Sequence, residues 1–542
     1  MFTPMITSAL LILLAQTQAP DFTGLWGATL RFGPDVRGTL IIERTAEGWF
    51  ADLAGFRVPV KADGLTFELP GNRGAFRNGH WLQPEGFATP VRLIPDGPNR
   101  RHGTVTPLEQ SYTFYMPITK KADGTYATYL RNPERNQGRF IRAQRIEFNG
   151  EDVKLVGTGG RPDGTLSIGR YYDDGVIRLP LRWGTYDFQR VTDTASSPFY
   201  PRGKPAPKYQ YTKPLQLNDG WPVGTLEQVG ISRDSIERFV QYLLDMPMDS
   251  LGTLQIHSLL IARHGRLVLE EYFHGYTRDT PHDTRSASKS WTNVLIGAAM
   301  QAGVPLRVNS PVYETMGVQT DDPRKRAMTL EHLITMTAGF NCDPDDTTSA
   351  DEDVMDNRGI QGWYQYTLNV PLISAPGEKI FYCSTEPNLA SGMLAKVAGK
   401  PLIQLFHELV AEPLQLSNYY LFLRDGDRYG GGGDRNTPRD FAKMAQLMLN
   451  KGRWGGKQIL SAEWVRQSGA PLRDLGTTQQ YGYLWNSQEF DYKGRKVRAV
   501  FSGGNGGQVS MEIPDLDLVI AFTGGNYGTR GLNPQRLLGA VQ

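Results

Sequence analysis

The decisive stretch is TRSASKSWTN, residues 284–293, which holds Ser286 and Lys289 three positions apart with helical spacing behind them. Trp291, Val294, Leu295, Ala298 and Ala299 fall at i, i+3, i+4, i+7 and i+8, one apolar face of a helix. At the start of that helix, Ser286 and Lys289 point the same way. A serine there meets the positive end of the helix dipole and free backbone N–H groups, which stabilise a developing alkoxide or oxyanion. A lysine serves as its base only where burial or a neighbouring cation lowers its pKa from the usual ~10.4. Taken alone the pair carries little, since roughly one or two Ser-x-x-Lys arise by chance in a long chain. The surrounding sequence has to decide.

Outward from the pair, HSLLIARHGRLVLEEYFHGY (257–276) reads as two apolar strands around the turn His264-Gly265-Arg266. NTPRDFAKMAQLMLNKG (436–452) places Thr437 as N-cap, Pro438 at the first helical position and Asp440 at the third, with Phe441, Met444, Ala445 and Met448 as the buried stripe. The chain closes on strand-like RKVRAVFSGG, GQVSMEIP and LDLVIAFTGG. A hairpin, then helices, then antiparallel strands give an α+β domain over 225–542, with first and last strands sharing a sheet.

Upstream the pattern changes. Over 20–193, short alternating runs such as GTLIIER, SYTFYMPIT and GVIRLPLRW are separated by Asp63-Gly64, Asn78-Gly79, Asp123-Gly124, Asn149-Gly150 and Asp163-Gly164. These are hairpin turns of the primed type, and many short strands at near-regular spacing predict an all-β barrel or sandwich. Gly24-Leu25-Trp26 resembles the Gly-x-Trp of lipocalin-like barrels. A Pro-rich connector, 194–224, reads as a semi-rigid spacer and marks the boundary. At the N-terminus, the apolar run Ile6 to Ala15 suits a secretory signal cleaved after Ala19, although no Lys or Arg precedes it. We therefore expect an exported protein, periplasmic or secreted, with no transmembrane segment after residues 1–19.

The bulk numbers agree. A chain of 542 residues calls for two or more domains, and 39% hydrophobic with 21% charged residues is a globular composition. A net charge of +2 without a long basic run gives no footprint for nucleic acid. The two cysteines, Cys342 and Cys383, are expected as unpaired, partly buried thiols, although export would permit a disulfide between them that spacing cannot show, and the eight histidines form no zinc pattern. No metal or organic cofactor is expected, and the sequence leaves the oligomeric state open.

With these pieces in place, TRSASKSWTNVLIGAAMQAG resembles the Ser-x-x-Lys helix of the serine β-lactamase and penicillin-binding-protein superfamily, in particular its class C-like branch. RHGRLVLEEYFHGY before it, and MTLEHLITMTAGF, PGEKIFYCSTEPNLASGML, TPRDFAKMAQLMLNKGRWGGKQILSAEWV and GGNGGQVSMEIPDLDLVIAF after it, lie in the family's order, so the resemblance covers roughly 225–542. It implies a β-lactamase/transpeptidase-like fold with Ser286 as nucleophile and Lys289 as base. The family's Tyr-x-Asn motif falls on Tyr382 and Ser384, with serine where asparagine is commonest. Its Lys-Thr-Gly motif falls on Asn505-Gly506-Gly507, and the backbone N–H of Gln508 joins that of Ser286 in the oxyanion hole. Without that Lys, a cation that would grip a substrate carboxylate is missing, so a neutral ester or amide fits better than a β-lactam. The expectation is a hydrolase forming an acyl-enzyme on Ser286 with a small-molecule or peptide-like substrate, as in esterases or D-amino-acid peptidases. A β-lactamase or carboxypeptidase is the alternative within the family; a non-catalytic binding module on the same fold is the alternative outside it.

Other patterns are weaker. There is no Gly-x-Ser-x-Gly elbow. His332 reads as a core or capping histidine, and the run Gly430 to Gly433 lacks the Lys of a phosphate loop.

Overall fold

A computed structural model describes residues 21–33, 36–61 and 65–542. The expected export segment, 1–19, and the Asp63-Gly64 turn lie outside the described residues.

Eight strands close into a barrel: Gly24–Phe32 (β1), Gln110–Lys120 (β2), Tyr126–Thr128 (β3), Ala143–Asn149 (β4), Asp152–Gly157 (β5), Thr165–Tyr171 (β6), Ile177–Leu181 (β7) and Gly184–Arg190 (β8). Neighbours follow chain order, and β1 meets β8 to complete the ring, with Trp26 opposite Arg190. Alternation directs the side chains: Ile177 and Leu179 point inward and Arg178 outward, and Tyr186 and Phe188 do the same on β8. Trp26 is buried, donates its indole N–H to Phe22 O at 2.9 Å, and carries the Arg190 guanidinium 4.9 Å above its ring. Of the primed turns, Asn78-Gly79 has both residues at positive φ, 50° and 75°, between the paired Arg77 and His80.

Contacts divide the chain differently from the boundary expected near 193. Among the described residues, one compact unit comprises 21–28, Tyr115–Leu130 and Phe140–Thr192; the other comprises those of 29–114, Arg131–Arg139 and Asp193–Gln542. The long excursion between β1 and β2 therefore belongs with the C-terminal unit. Strand pairing is the reason: Phe87–Pro90 hydrogen-bonds to Tyr419–Arg424, Ala88 opposite Leu421. The Pro-rich connector has no regular structure until Glu227, yet it is docked, with Tyr209 and Tyr211 buried and the Tyr211 hydroxyl donating to Val268 O at 2.8 Å.

The C-terminal unit is built on an eight-stranded antiparallel sheet. Its strands are Ile256–Arg263 (β9), Arg266–Tyr272 (β10), Arg473–Asp474 (β11), Gln479–Tyr481 (β12), Asn486–Tyr492 (β13), Arg495–Gly504 (β14), Gln508–Ile513 (β15) and Leu518–Gly524 (β16), in the order β10-β9-β16-β15-β14-β13-β12-β11. First and last strands share the sheet, Leu260 opposite Ala521. Both faces are covered, so β9 reads as a continuous apolar run: Leu260 and Ala262 enter one core, Leu259 and Ile261 the other. Helix Arg233–Leu244 (α1) adds Ile236 and Val240 to the second core. Helices Lys289–Gln301 (α2), Thr385–Ala398 (α3) and Pro438–Leu449 (α4) build the first. Helix α4 starts as expected, the Thr437 hydroxyl accepting the Asp440 N–H at 3.4 Å. Helix α2 departs from the one-sided pattern and is buried all round. Its polar residues are matched inside: Ser290 donates to Leu484 O, Thr292 to Gly430 O and Asn293 to Ser468 Oγ, all within 2.9 Å.

Candidate active site

Ser286 lies not in α2 but in the 3-10 turn Arg285–Ser288 that leads into it. Arg285 just before it has φ of 50°, a left-handed conformation that a non-glycine residue holds only when its surroundings impose it. The imposing contacts are polar and buried. Thr284 donates its N–H and hydroxyl to Asp434 O, at 3.2 and 2.7 Å. The Asp434 carboxylate takes Arg428, both fully buried, and Arg428 continues to Thr292 Oγ1 and Ser288 O. On the other side, Asp283 accepts the Arg285 N–H at 3.1 Å and pairs with Arg135 at 2.7 Å. Burial pushes the Asp283 carboxyl up, but the guanidinium groups of Arg435, Arg135 and Arg285 outweigh it and hold it well below the usual carboxylate range.

The glycine run 430–433, which no phosphate motif explained, has its place here. A Cβ on Gly432, where φ is 134°, would come within 2.9 Å of Arg285 O, and one on Gly431 within 2.4 Å of Ser384 O. Gly433 N–H donates to Arg285 O at 3.1 Å. The run thus threads between the Ser286 turn and the start of α3 at a separation that side chains would forbid. The signal in the sequence was the run itself; its two neighbours, Arg285 and Ser384, both more than forty residues upstream, were not legible.

At the end of this frame the Lys289 amine donates to Ser286 Oγ at 2.9 Å. Lys289 is 2% exposed, and no carboxylate pairs with it among the described residues. Its Nζ sits 4.9 Å from the centre of the Tyr382 ring, and Tyr382 is half exposed. Ser286, Lys289, Tyr382, Asn505 and Gln508 all line one cavity of about 340 Å³. Ser384, Gly506 and Gly507 are not among its walls. Ser384 is buried at the N-cap of α3; Gly506 packs on the Tyr527 ring and Gly507 beside Asn526. The strand residue that meets the Ser286 turn is instead Gly504, where an added Cβ would lie 2.3 Å from Thr284 O and 3.2 Å from the Ala287 nitrogen. Asn505 follows in the β14–β15 turn, and the buried Gln508 side chain donates to Gly524 O and Asn505 O.

Strand pairing also brings in residues the sequence did not mark. Gln479, Tyr481 and Asn486 also line the cavity. Leu484 between them has φ of 59°; its N–H donates to Ile334 O and its carbonyl accepts from Ser290. Burial, with Tyr382 and Glu386 nearby, pushes the Tyr481 hydroxyl well above its usual range. Glu386 is itself fully buried, which raises its carboxyl well above the usual carboxylate range; one oxygen accepts from Ala338 N–H and the other has no partner among the described residues.

The cysteines correct our reading. Cys342 and Cys383 form a disulfide, with Cα atoms 5.6 Å apart and both residues buried. Sequence spacing could not show that the chain lays 336–342 beside the Tyr382 loop. There Phe381 N–H donates to Met336 O and Gly377 N–H to Thr337 O. His332 is a capping histidine as expected, its Nδ1 taking the Thr329 N–H at 3.0 Å.

A family model described as Beta-lactamase matches residues 254–536, just over half of the chain. Among curated proteins, the chain is similar to the 6-aminohexanoate-dimer hydrolase of Paenarthrobacter ureafaciens, 23% identical over 284 residues, covering 48% of this chain and 71% of that one. Among solved structures it is similar to a penicillin-binding protein homologue from Caulobacter crescentus, 17% identical with a TM-score of 0.44 over 56% of this chain and 95% of that one. It is also similar to a family VIII carboxylesterase, 18% identical with a TM-score of 0.45 over 59% and 98%.

Proposed function

The chain belongs to the beta-lactamase family of hydrolases, and from that premise we propose that it cleaves a neutral ester or amide through an acyl-enzyme on Ser286. The observation that carries this reading is the Lys289–Ser286 hydrogen bond of 2.9 Å at the wall of an open cavity. Lys289 takes the Ser286 proton as Oγ attacks the substrate carbonyl carbon. The oxyanion that forms is met by the Ser286 backbone N–H and by a second N–H from the β14–β15 hairpin, where Gly504 abuts the turn and Asn505 and Gln508 follow. Tyr382, facing Lys289 across the cavity, passes the proton to the leaving alkoxide or amine. Water then attacks the ester on Ser286 and frees the acid.

The neutral-substrate part rests on the cavity walls. Among the described residues they hold no charged side chain apart from Lys289: Asn486, Asn505, Gln479 and Gln508 offer amides, and Tyr382 and Tyr481 offer rings and hydroxyls. A penicillin or a peptide with a terminal carboxylate finds no second cation there. A relative named for hydrolysing a 6-aminohexanoate dimer supports the amide branch. The protein's export remains part of the proposal, supported by the Cys342–Cys383 disulfide, a bond favoured in oxidising compartments. Among the described residues no helix is long and apolar enough to cross a membrane.

A substrate panel tests the reading. The full chain is assayed with p-nitrophenyl butyrate, the linear 6-aminohexanoate dimer and benzylpenicillin, beside Ser286→Ala. The expected result is turnover of the ester or the amide with kcat/KM at least about a hundredfold above penicillin, lost in the variant. Penicillin as the fastest substrate would overturn the specificity; no turnover of any would favour a binding module.

A further inference from the structure

The barrel carries a second cavity, of about 490 Å³, at one of its ends. It is formed by residues 140–142, by the loop 158–160 after β5, by Leu166 on β6 and by the β7–β8 turn, Pro180 to Trp183. These walls are built rather than left open. Thr158 N–H donates to Arg142 O at 3.2 Å, and a Cβ on Gly157 would come within 2.0 Å of that same oxygen. A Cβ on Gly160 would lie 2.4 Å from Thr165 O. Glycine at both positions lets the loop fold down onto its neighbours.

Two features of the lining point to a ligand. Phe140, Ile141, Leu166, Leu181 and Trp183 give it an apolar part beside its polar groups, and Phe140 is left 66% exposed at its edge. Arg142 and Arg182 supply two guanidinium groups, and neither pairs with a carboxylate among the described residues. Among the described residues no Asp or Glu lines the cavity. Arg182 lies 5.9 Å over the Trp183 ring, which keeps its charge beside the apolar wall. Arg142 is held at φ of 57°, a conformation that costs a non-glycine residue on the order of 1–3 kcal/mol.

We propose that this end of the barrel binds an amphipathic monocarboxylate, its apolar body of medium-chain size in the cavity and its carboxylate on Arg142 and Arg182. The volume falls in the range of small-molecule sites, and a lining that mixes apolar side chains with two guanidinium groups suits a ligand with an apolar body and a charged end. Guanidinium groups favour a carboxylate by charge-assisted, often bidentate hydrogen bonds. The proposal does not depend on the hydrolytic reading.

Calorimetry on the full chain tests it, with decanoate, decanol and acetate as probes. Decanoate is expected to bind once per chain in the micromolar range, at least tenfold tighter than decanol, with acetate giving no saturation. Arg142→Gln with Arg182→Gln should bring decanoate to the decanol level. Leu166→Glu should weaken both long-chain probes, and ester turnover should not change in any of these variants. Equal affinity for decanoate and decanol, indifference to the arginine variants, or no saturable binding below the micellar range would each overturn the proposal. So would sedimentation showing that a second copy of the chain covers this end and that Leu166→Glu releases it.

Discussion

The turn carrying Ser286 and the loop carrying Tyr382 line the same cavity, but they are held there by different means. The Ser286 turn is fixed from within by charge: Asp283 among three arginines, the buried Arg428–Asp434 pair, and Thr284 on Asp434 O. The Tyr382 loop is half exposed and fixed from its neighbours: a disulfide at the next residue, one backbone bond from Phe381 to Met336 O, and the neutral Glu386 on Ala338. The proposed nucleophile is thus placed by a packed ionic frame, whereas the phenol proposed to pass the proton is placed by clamps on either side of it. The Lys289–Tyr382 ring contact joins them, Nζ 4.9 Å from the ring centre.

This contrast can be broken from either side. The largest effect is expected within the turn. Lys289→Met should lower kcat/KM by about a thousandfold, the scale of general-base catalysis, while the thermal midpoint stays near that of the wild type. Steady-state kinetics beside a thermal melt checks it, and a loss under tenfold would remove Lys289 from its role.

The clamp should matter less. Treating the wild type with dithiothreitol, or making Cys342→Ser with Cys383→Ser, should lower kcat about tenfold through a misplaced Tyr382, with KM changed less than twofold. Loss of a disulfide of this kind also costs about 2–4 kcal/mol of stability. The double variant should ignore dithiothreitol. An unchanged kcat in the reduced protein, with both thiols shown free by alkylation, would mean the disulfide does not position Tyr382.

The smallest effects separate the two regions by pH. Asp283 is held below its ordinary range when folded, so the stability it adds is present at neutral pH and lost as pH falls through that range. Glu386 is raised when folded, so its contribution is full in acid and lost as pH climbs past the ordinary carboxylate value, where only the unfolded chain ionises. Melts from pH 3 to 9 should therefore show a flatter acid limb in Asp283→Asn and a flatter alkaline limb in Glu386→Gln. Asp283→Asn should also be less stable at pH 7, since removing one partner of a buried charge cluster costs on the order of 3–5 kcal/mol. Parallel curves for all three proteins would contradict the assignment of charge to one region and neutrality to the other.

How much was legible follows the same division. The Ser286–Lys289 pair could be read because its geometry is local: three residues on one turn. The shared sheet of β9 and β16 followed from apolar runs at the two ends of the domain, and the Thr437 cap from a local rule. What joins distant segments could not be read. The disulfide, the glycine run threading between Arg285 and Ser384, and the wall of Gln479, Tyr481 and Asn486 all depend on where loops are laid. The third motif shows the limit closely. Its sequence was found, but Gly504 rather than Gly506 or Gly507 meets the Ser286 turn, because the hairpin begins one residue later and carries the other two glycines away toward Tyr527 and Asn526. The barrel was foreseen from its alternation, while the excursion between β1 and β2 was not, because pairing of Phe87–Pro90 with Tyr419–Arg424 is a tertiary choice.

The most direct test of the central claim is to trap the acyl-enzyme. The full chain is incubated with a fluorophosphonate and, separately, with p-nitrophenyl butyrate quenched in acid, and its intact mass and peptides are then measured. The account predicts a single adduct on the peptide carrying Ser286, present in the wild type and absent from Ser286→Ala. An adduct on another residue, or equal labelling of the variant, would contradict it.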